Sequence, residues 1–199
     1  MGIDDDVVLP LPARVAPVRH ARSTLIIASI QTVRNRGLFD EYERALEPEH
    51  KDALLNAIAG TWIPLEVALA HYRACDTLGL APEQQYINGR GTFDGARGTL
   101  LGTAVRMARG AGITPWNAFA LSQRFWQRGL DGGAVGVVRV GPKDAQVTIL
   151  ECGLVASPYF RNGFRGLVAS LIELFCVRAY VTERKAKRPS SLEMRVQWA

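Results

Sequence analysis

The chain has 199 residues, 48% of them apolar and 22% charged, which fits a globular protein able to bury one full core and sets aside an intrinsically disordered chain. The net charge of +5 is unevenly placed: residues 1–100 carry 10 Lys/Arg against 13 Asp/Glu, and residues 101–199 carry 14 against 6. The longest apolar run, about Leu25–Ile30, is far short of the roughly 20 residues of a membrane span, so no membrane insertion is expected.

The acidic start, Met1-Gly-Ile-Asp-Asp-Asp6, lacks the basic, then apolar, character of a secretory leader. Cys75, Cys152 and Cys176 are far apart and form no C-x-x-C. The expectation is a reducing, cytoplasmic compartment without a disulfide framework.

In chain order, residues 1–21 form a flexible tail, because Pro10, Pro12 and Pro17 remove backbone donors and prevent regular helix. The β-branched run Thr24–Val33 predicts a strand, closed by a turn at Arg34-Asn-Arg-Gly37. Helices follow over Leu38–Leu46, Pro48–Ala59 and Pro64–Leu78, the last with Leu65, Ala68, Leu69, Tyr72 and Cys75 on one face. A short helix over Pro82–Ile87 leads to a turn at Asn88-Gly-Arg-Gly91, and a long helix runs from Thr92 to about Arg109. Thr114-Pro115 caps a helix reaching Arg128. The texture then changes. Ala134–Val140 and Gln146–Cys152 read as a hairpin, Pro158–Phe175 as an amphipathic helix, and Arg178–Lys185 with Ser191–Trp198 as a closing hairpin. Helices followed by strands imply an α+β fold: an N-terminal strand and helical bundle, then an antiparallel ββαββ sheet, with residues 22–199 as a single ligand-binding or dimerisation-like domain.

Few constellations point to chemistry. Gly95, Gly98 and Gly102 recur on one helical face, and Gly163, Gly166 and Ser170 make a second small-residue face; both read as close-packing surfaces, since neither the P-loop nor the dinucleotide pattern is present. The late helix is expected to lie tightly on the sheet or to meet a second subunit. His71 and Cys75 stand at i, i+4, yet no further donors complete a zinc site, so no metal is assigned. No catalytic signature is present, whether nucleophile elbow, Cys–His pair or H-E-x-x-H, and the chain leans away from an enzyme. Trp62, His71, Tyr72, Phe93, Phe125 and Trp126 are candidates for the lining of an apolar pocket, with plain core as the other reading. Arg178, Arg184, Lys185, Lys187 and Arg188 gather on the closing hairpin as a candidate interaction surface; few aromatics interleave with them, which disfavours nucleic acid.

The punctuation of the chain resembles a known superfamily. Trp62-Ile-Pro heads the helix carrying Tyr72; Asn88-Gly-Arg90, Phe93 and Gly98–Gly102 follow; then come a hairpin, Ser157-Pro-Tyr-Phe-Arg-Asn-Gly-Phe-Arg-Gly166, a helix, and a hairpin ending in Trp198. This resembles an uncharacterised myxobacterial domain family, related in turn to vinyl-reductase-type small-ligand domains, haem nitric-oxide-binding domains and Golgi transport tethering subunits. The resemblance implies an α+β ligand-binding or dimerisation fold without one fixed activity. Through the haem-binding relatives it makes His71 the mid-helix candidate for an axial ligand, although no other haem-contacting motif is present and no cofactor is evident. The leading expectation is a non-enzymatic small-ligand-binding or sensory module, homodimeric. An adapter for an acidic protein through the basic hairpin, and a nucleic-acid-binding protein, are the alternatives.

Overall fold

The computed structural model describes residues 6–97 and 114–199, with side chains from 6–91 and 114–199. Its elements in chain order are β1 (Val7–Leu9), β2 (His20–Arg22), α1 (Ser23–Asn35), α2 (Phe39–Ala45), α3 (Pro48–Leu55), β3 (Trp62–Pro64), α4 (Leu65–Asp76), α5 (Pro82–Arg97), α6 (Pro115–Ala120), α7 (Ser122–Gly129), β4 (Leu130–Asp131), β5 (Ala134–Gly141), β6 (Asp144–Leu150), α8 (Pro158–Ile172), β7 (Ala179–Arg184) and β8 (Leu192–Trp198). The fold is α+β. A five-stranded antiparallel sheet in the order β1-β5-β6-β8-β7 carries the helices, and a small sheet β3-β2-β4 closes one end.

The main sheet is set by alternation. Ala145, Val147 and Ile149 of β6 pair with Val196, Met194 and Leu192 of β8. All six are buried, so one residue of slip would turn the whole set outward. At the edge of this face Trp198 meets Trp116 of α6 edge-on, with centroids 4.8 Å apart.

Three expectations meet a different structure. The run Thr24–Val33 is not a strand but most of α1, because its buried positions Ser23, Ile26, Ile30 and Val33 follow helical spacing. Tertiary packing overrides β propensity here, and the Thr32 hydroxyl donates to the Ala28 carbonyl at 3.0 Å within the helix. Gly37, at φ +72°, turns the chain out of it. Asn88-Gly-Arg-Gly91 is not a turn; α5 passes through it without a break. Conversely, the helix expected from Pro115 to Arg128 is interrupted at Leu121, which ends α6 and precedes α7.

The expected tail lies along the sheet. Val7 and Leu9 pair with Val138 and Val137, the Val18 N–H donates to Glu151 O at 2.8 Å, and the Gly133 N–H donates to Ala16 O at 2.8 Å. Proline bars helix but suits an extended edge strand or irregular chain. No helix among the described residues is long and apolar enough to cross a membrane.

The glycines of α5 and α8 bring two backbones together. A Cβ on Gly89 would sit 1.7 Å from Gly163 O, and one on Gly166 would sit 2.0 Å from Tyr86 O. The small-residue face of α8 is thus covered by α5 of the same chain. Gly95 lies in α5, while Gly98 and Gly102, with most of the helix expected over Thr92–Arg109, fall outside the described residues.

Candidate functional site

An apolar cavity of about 200 Å³ opens between the helices and the inner face of β5–β6. Leu25 and Ser29 of α1, Tyr72 of α4, Asn88 and Gly89 of α5, and Ala118 and Phe119 of α6 form part of its wall. Ser122, Phe125 and Trp126 of α7, Val135, Val147 and Ile149 of the sheet, and Tyr159, Phe160 and Phe164 of α8 form the rest of its main lining. No described residue of the lining carries a charge.

Helix α8 delivers the largest share, and its start is fixed locally. The Phe160 N–H donates to the Ser157 hydroxyl at 3.1 Å, Pro158 occupies the first turn, and the Tyr159 N–H donates to Asp76 Oδ1 at 2.7 Å, tying α8 to the end of α4. The rings then interlock: Phe160 stacks on Phe164 at 5.6 Å, Trp126 meets Phe164 edge-on at 5.9 Å, and Tyr72 meets Phe160 edge-on at 5.1 Å. The Trp126 Nε1–H is satisfied by Gly132 O at 2.8 Å.

A buried polar chain skirts one end of the cavity. Arg36 Nε donates to Asn88 Oδ1, Asn88 Nδ2 donates to the Tyr159 hydroxyl at 3.2 Å, and Ser29 beside Tyr159 works against the rise that burial causes in its phenol. Ser29 Oγ lies 2.9 Å from His71 Nε2, and His71 Nδ1 lies 2.8 Å from the Tyr42 hydroxyl. Such a chain polarises along its length and fixes the side chains in it. Burial pushes the His71 imidazole down to about 3 and the Tyr159 phenol up to about 12, so His71 is neutral at physiological pH.

A serine on a histidine invites comparison with acyl-transfer enzymes. Burial argues against it. A base titrating near 3 takes up no proton at neutral pH. Tyr72 differs from its neighbours: it lines the cavity, is only 8% exposed, and among the described residues its hydroxyl has no hydrogen-bond partner.

Of the six residues nominated for a pocket, Tyr72, Phe125 and Trp126 line the cavity. His71 sits one layer behind it, through Ser29. Trp62 is on β3, 40% exposed, beneath the Arg22 guanidinium at 3.8 Å, and the side chain of Phe93 lies outside the described residues. Sequence reasoning missed Ser29, Asn88 and Tyr159. Ser29 was hidden inside an apolar run read as a strand and Asn88 inside a sequence read as a turn, while Tyr159 follows a proline at a helix start and could have been placed from the α8 stripe.

Cys75 Sγ is 3.8 Å from His71 Nε2, but burial holds the thiol well above its usual range and both imidazole nitrogens are occupied, so the pair offers no metal site. The three cysteines form no disulfide with one another. Arg178, Arg184, Lys185, Lys187 and Arg188 are exposed, with Arg178 over the Tyr180 ring and Arg188 3.8 Å from Glu151.

No protein-family model matches the chain, and no curated protein is similar to it in sequence. Solved structures do match over almost the whole chain. An Fe(II) unliganded H-NOX protein from K. algicida is 12% identical, with 89% of this chain and 96% of that one aligned and a TM-score of 0.59. An oxygen-binding H-NOX domain related to soluble guanylate cyclases is 14% identical, with 89% and 94% aligned and a TM-score of 0.56. The chain therefore shares its fold with haem nitric-oxide/oxygen binding domains.

Proposed function

We propose that this chain is a non-enzymatic, small-ligand-binding domain of sensory type, and that its ligand occupies the apolar cavity between the helices and the sheet. The lining carries this reading: apolar and aromatic walls with a few polar groups, seated between layers, are the usual make-up of a small-molecule site. The fold shared with H-NOX domains, some of which bind oxygen through haem, supports a sensory role.

The described residues of the site do not fit haem. Iron needs an imidazole, thiolate, thioether or phenolate donor, and no histidine, cysteine or methionine is among the described residues of the lining. His20 faces Asp131 at 3.0 Å, His50 lies beside Glu47 and Glu49, and His71 has both nitrogens engaged. Burial raises the phenols of Tyr72 and Tyr159, which disfavours phenolate ligation. The cavity, about 200 Å³, is also smaller than the roughly 300–1,000 Å³ that encloses drug-sized ligands. It is closer to the apolar cavity of about 150 Å³ that takes up benzene in an engineered protein.

The experiment pairs absorption with calorimetry. Purified protein is expected to show no Soret band, alone or after haemin addition and desalting, and to bind benzene or toluene. Ala118→Leu, which puts a larger side chain into the wall, is expected to abolish that binding while the fold persists by circular dichroism. A stoichiometric haemin complex would overturn the haem-free reading, and absence of small-aromatic binding would overturn the cavity reading.

A further inference from the structure

The polar groups of the lining are not equivalent. Ser29, Asn88 and Tyr159 are tied into the chain that runs to His71 and Arg36, and the Ser122 hydroxyl bonds Ala118 O at 3.4 Å. Among the described residues, Tyr72 alone of these five lining residues has no hydrogen-bond partner for its side chain. A tyrosine hydroxyl both donates and accepts, so one without a protein partner on a cavity wall is available to a ligand. The Tyr72 ring is held from two sides, by His71 at 4.8 Å and Phe160 at 5.1 Å, so the hydroxyl is presented in a fixed place. No described residue of the wall is charged, and a carboxylate, phosphate or ammonium against these residues would be stripped of water without compensation.

From these observations we infer that the cavity selects a neutral, ring-sized, largely apolar molecule carrying one hydrogen-bonding oxygen or nitrogen, and that the Tyr72 hydroxyl is the group that recognises that atom. The inference rests on the cavity reading above and adds the ligand's chemical class. Specificity follows the usual asymmetry: a site with one buried hydroxyl rejects an isostere that leaves it unpaired more strongly than a purely apolar wall rejects a change in size.

The test is calorimetric titration of the full chain with benzene, phenol and benzoate. Wild type is expected to bind benzene and phenol and to exclude benzoate. In Tyr72→Phe the phenol affinity should fall by about tenfold, the worth of one buried hydrogen bond, with benzene affinity within twofold of wild type. Tyr159→Phe serves as the second variant, since its hydroxyl is already committed, and it should leave the phenol-to-benzene ratio unchanged. An unchanged ratio in Tyr72→Phe, or a ratio that moves only in Tyr159→Phe, overturns the assignment of Tyr72. Benzoate binding comparable to phenol overturns the neutral class. Failure of wild type to bind benzene and phenol alike overturns the cavity reading itself, a result distinguishable from the others.

Discussion

Two neighbouring glycines of α5 have opposite reasons for being glycine. Gly89 faces Gly163 with no room for a methyl group, whereas nothing lies within 4 Å of a Cβ on Gly91. Gly89→Ala should therefore destabilise the protein by about 3 kcal/mol or more, at the upper end of overpacking because backbone must yield to backbone. Gly91→Ala should stabilise it by up to about 1 kcal/mol through helix propensity. Chemical denaturation of the pair gives both numbers, and equal effects would dissolve the distinction. His71 supplies a pH dependence. Its folded imidazole titrates near 3 against an ordinary 6.5, so between those values the unfolded chain holds the extra proton. Stability is complete above about 6.5 and is lost progressively as pH falls toward 3. His71→Gln should be less stable at pH 7 yet show a shallower decline between pH 6.5 and 4, as read from melting temperatures.

Elements were legible where periodicity and punctuation agreed. The closing strands and α8 could be read from the sequence because alternation, or a stripe with a Ser-Pro start, admits one answer. The α1 segment could not. Leu25–Val33 is rich in residues that suit either state, and only the neighbours that bury Ile26, Ile30 and Val33 select the helix. Asn88-Gly-Arg-Gly91 misled for the converse reason, since glycine normally punctuates and here serves contact with α8, which lies 74 residues on at Gly163. Half of the nominated pocket residues line the cavity because aromatic clustering is visible in sequence, whereas the polar chain joins residues as distant as Ser29, His71 and Tyr159. The β6–β8 pairing carries its own electrostatic clasp: Arg195 and Gln197 donate to Asp144 at 2.5 and 3.0 Å. The Arg195 hydrogen bonds hold the Asp144 carboxyl below its ordinary 3.8, so this contribution is full above that value and disappears as pH falls through the lower, folded one. Asp144→Asn should lower the melting temperature at pH 7 and remove part of wild type's decline below about pH 4. An unchanged acid profile would show that the clasp adds nothing.

On the scale of the whole molecule, the cavity has two kinds of wall. One is the α5–α8 pair, whose main chains touch at Gly89–Gly163 and Tyr86–Gly166 and are further joined by Asn162 to Gln85 at 2.8 Å and Arg90 to Glu173 at 2.6 Å. Sliding either helix along the other would drive a side chain into a backbone. The other wall, α6–α7, is two short helices divided at Leu121, with Phe125 39% exposed. On the reading proposed above, a ligand filling the cavity would displace α6–α7 rather than α5–α8, and with them Phe125, Trp126 and the Gly132-Gly133 junction into β5.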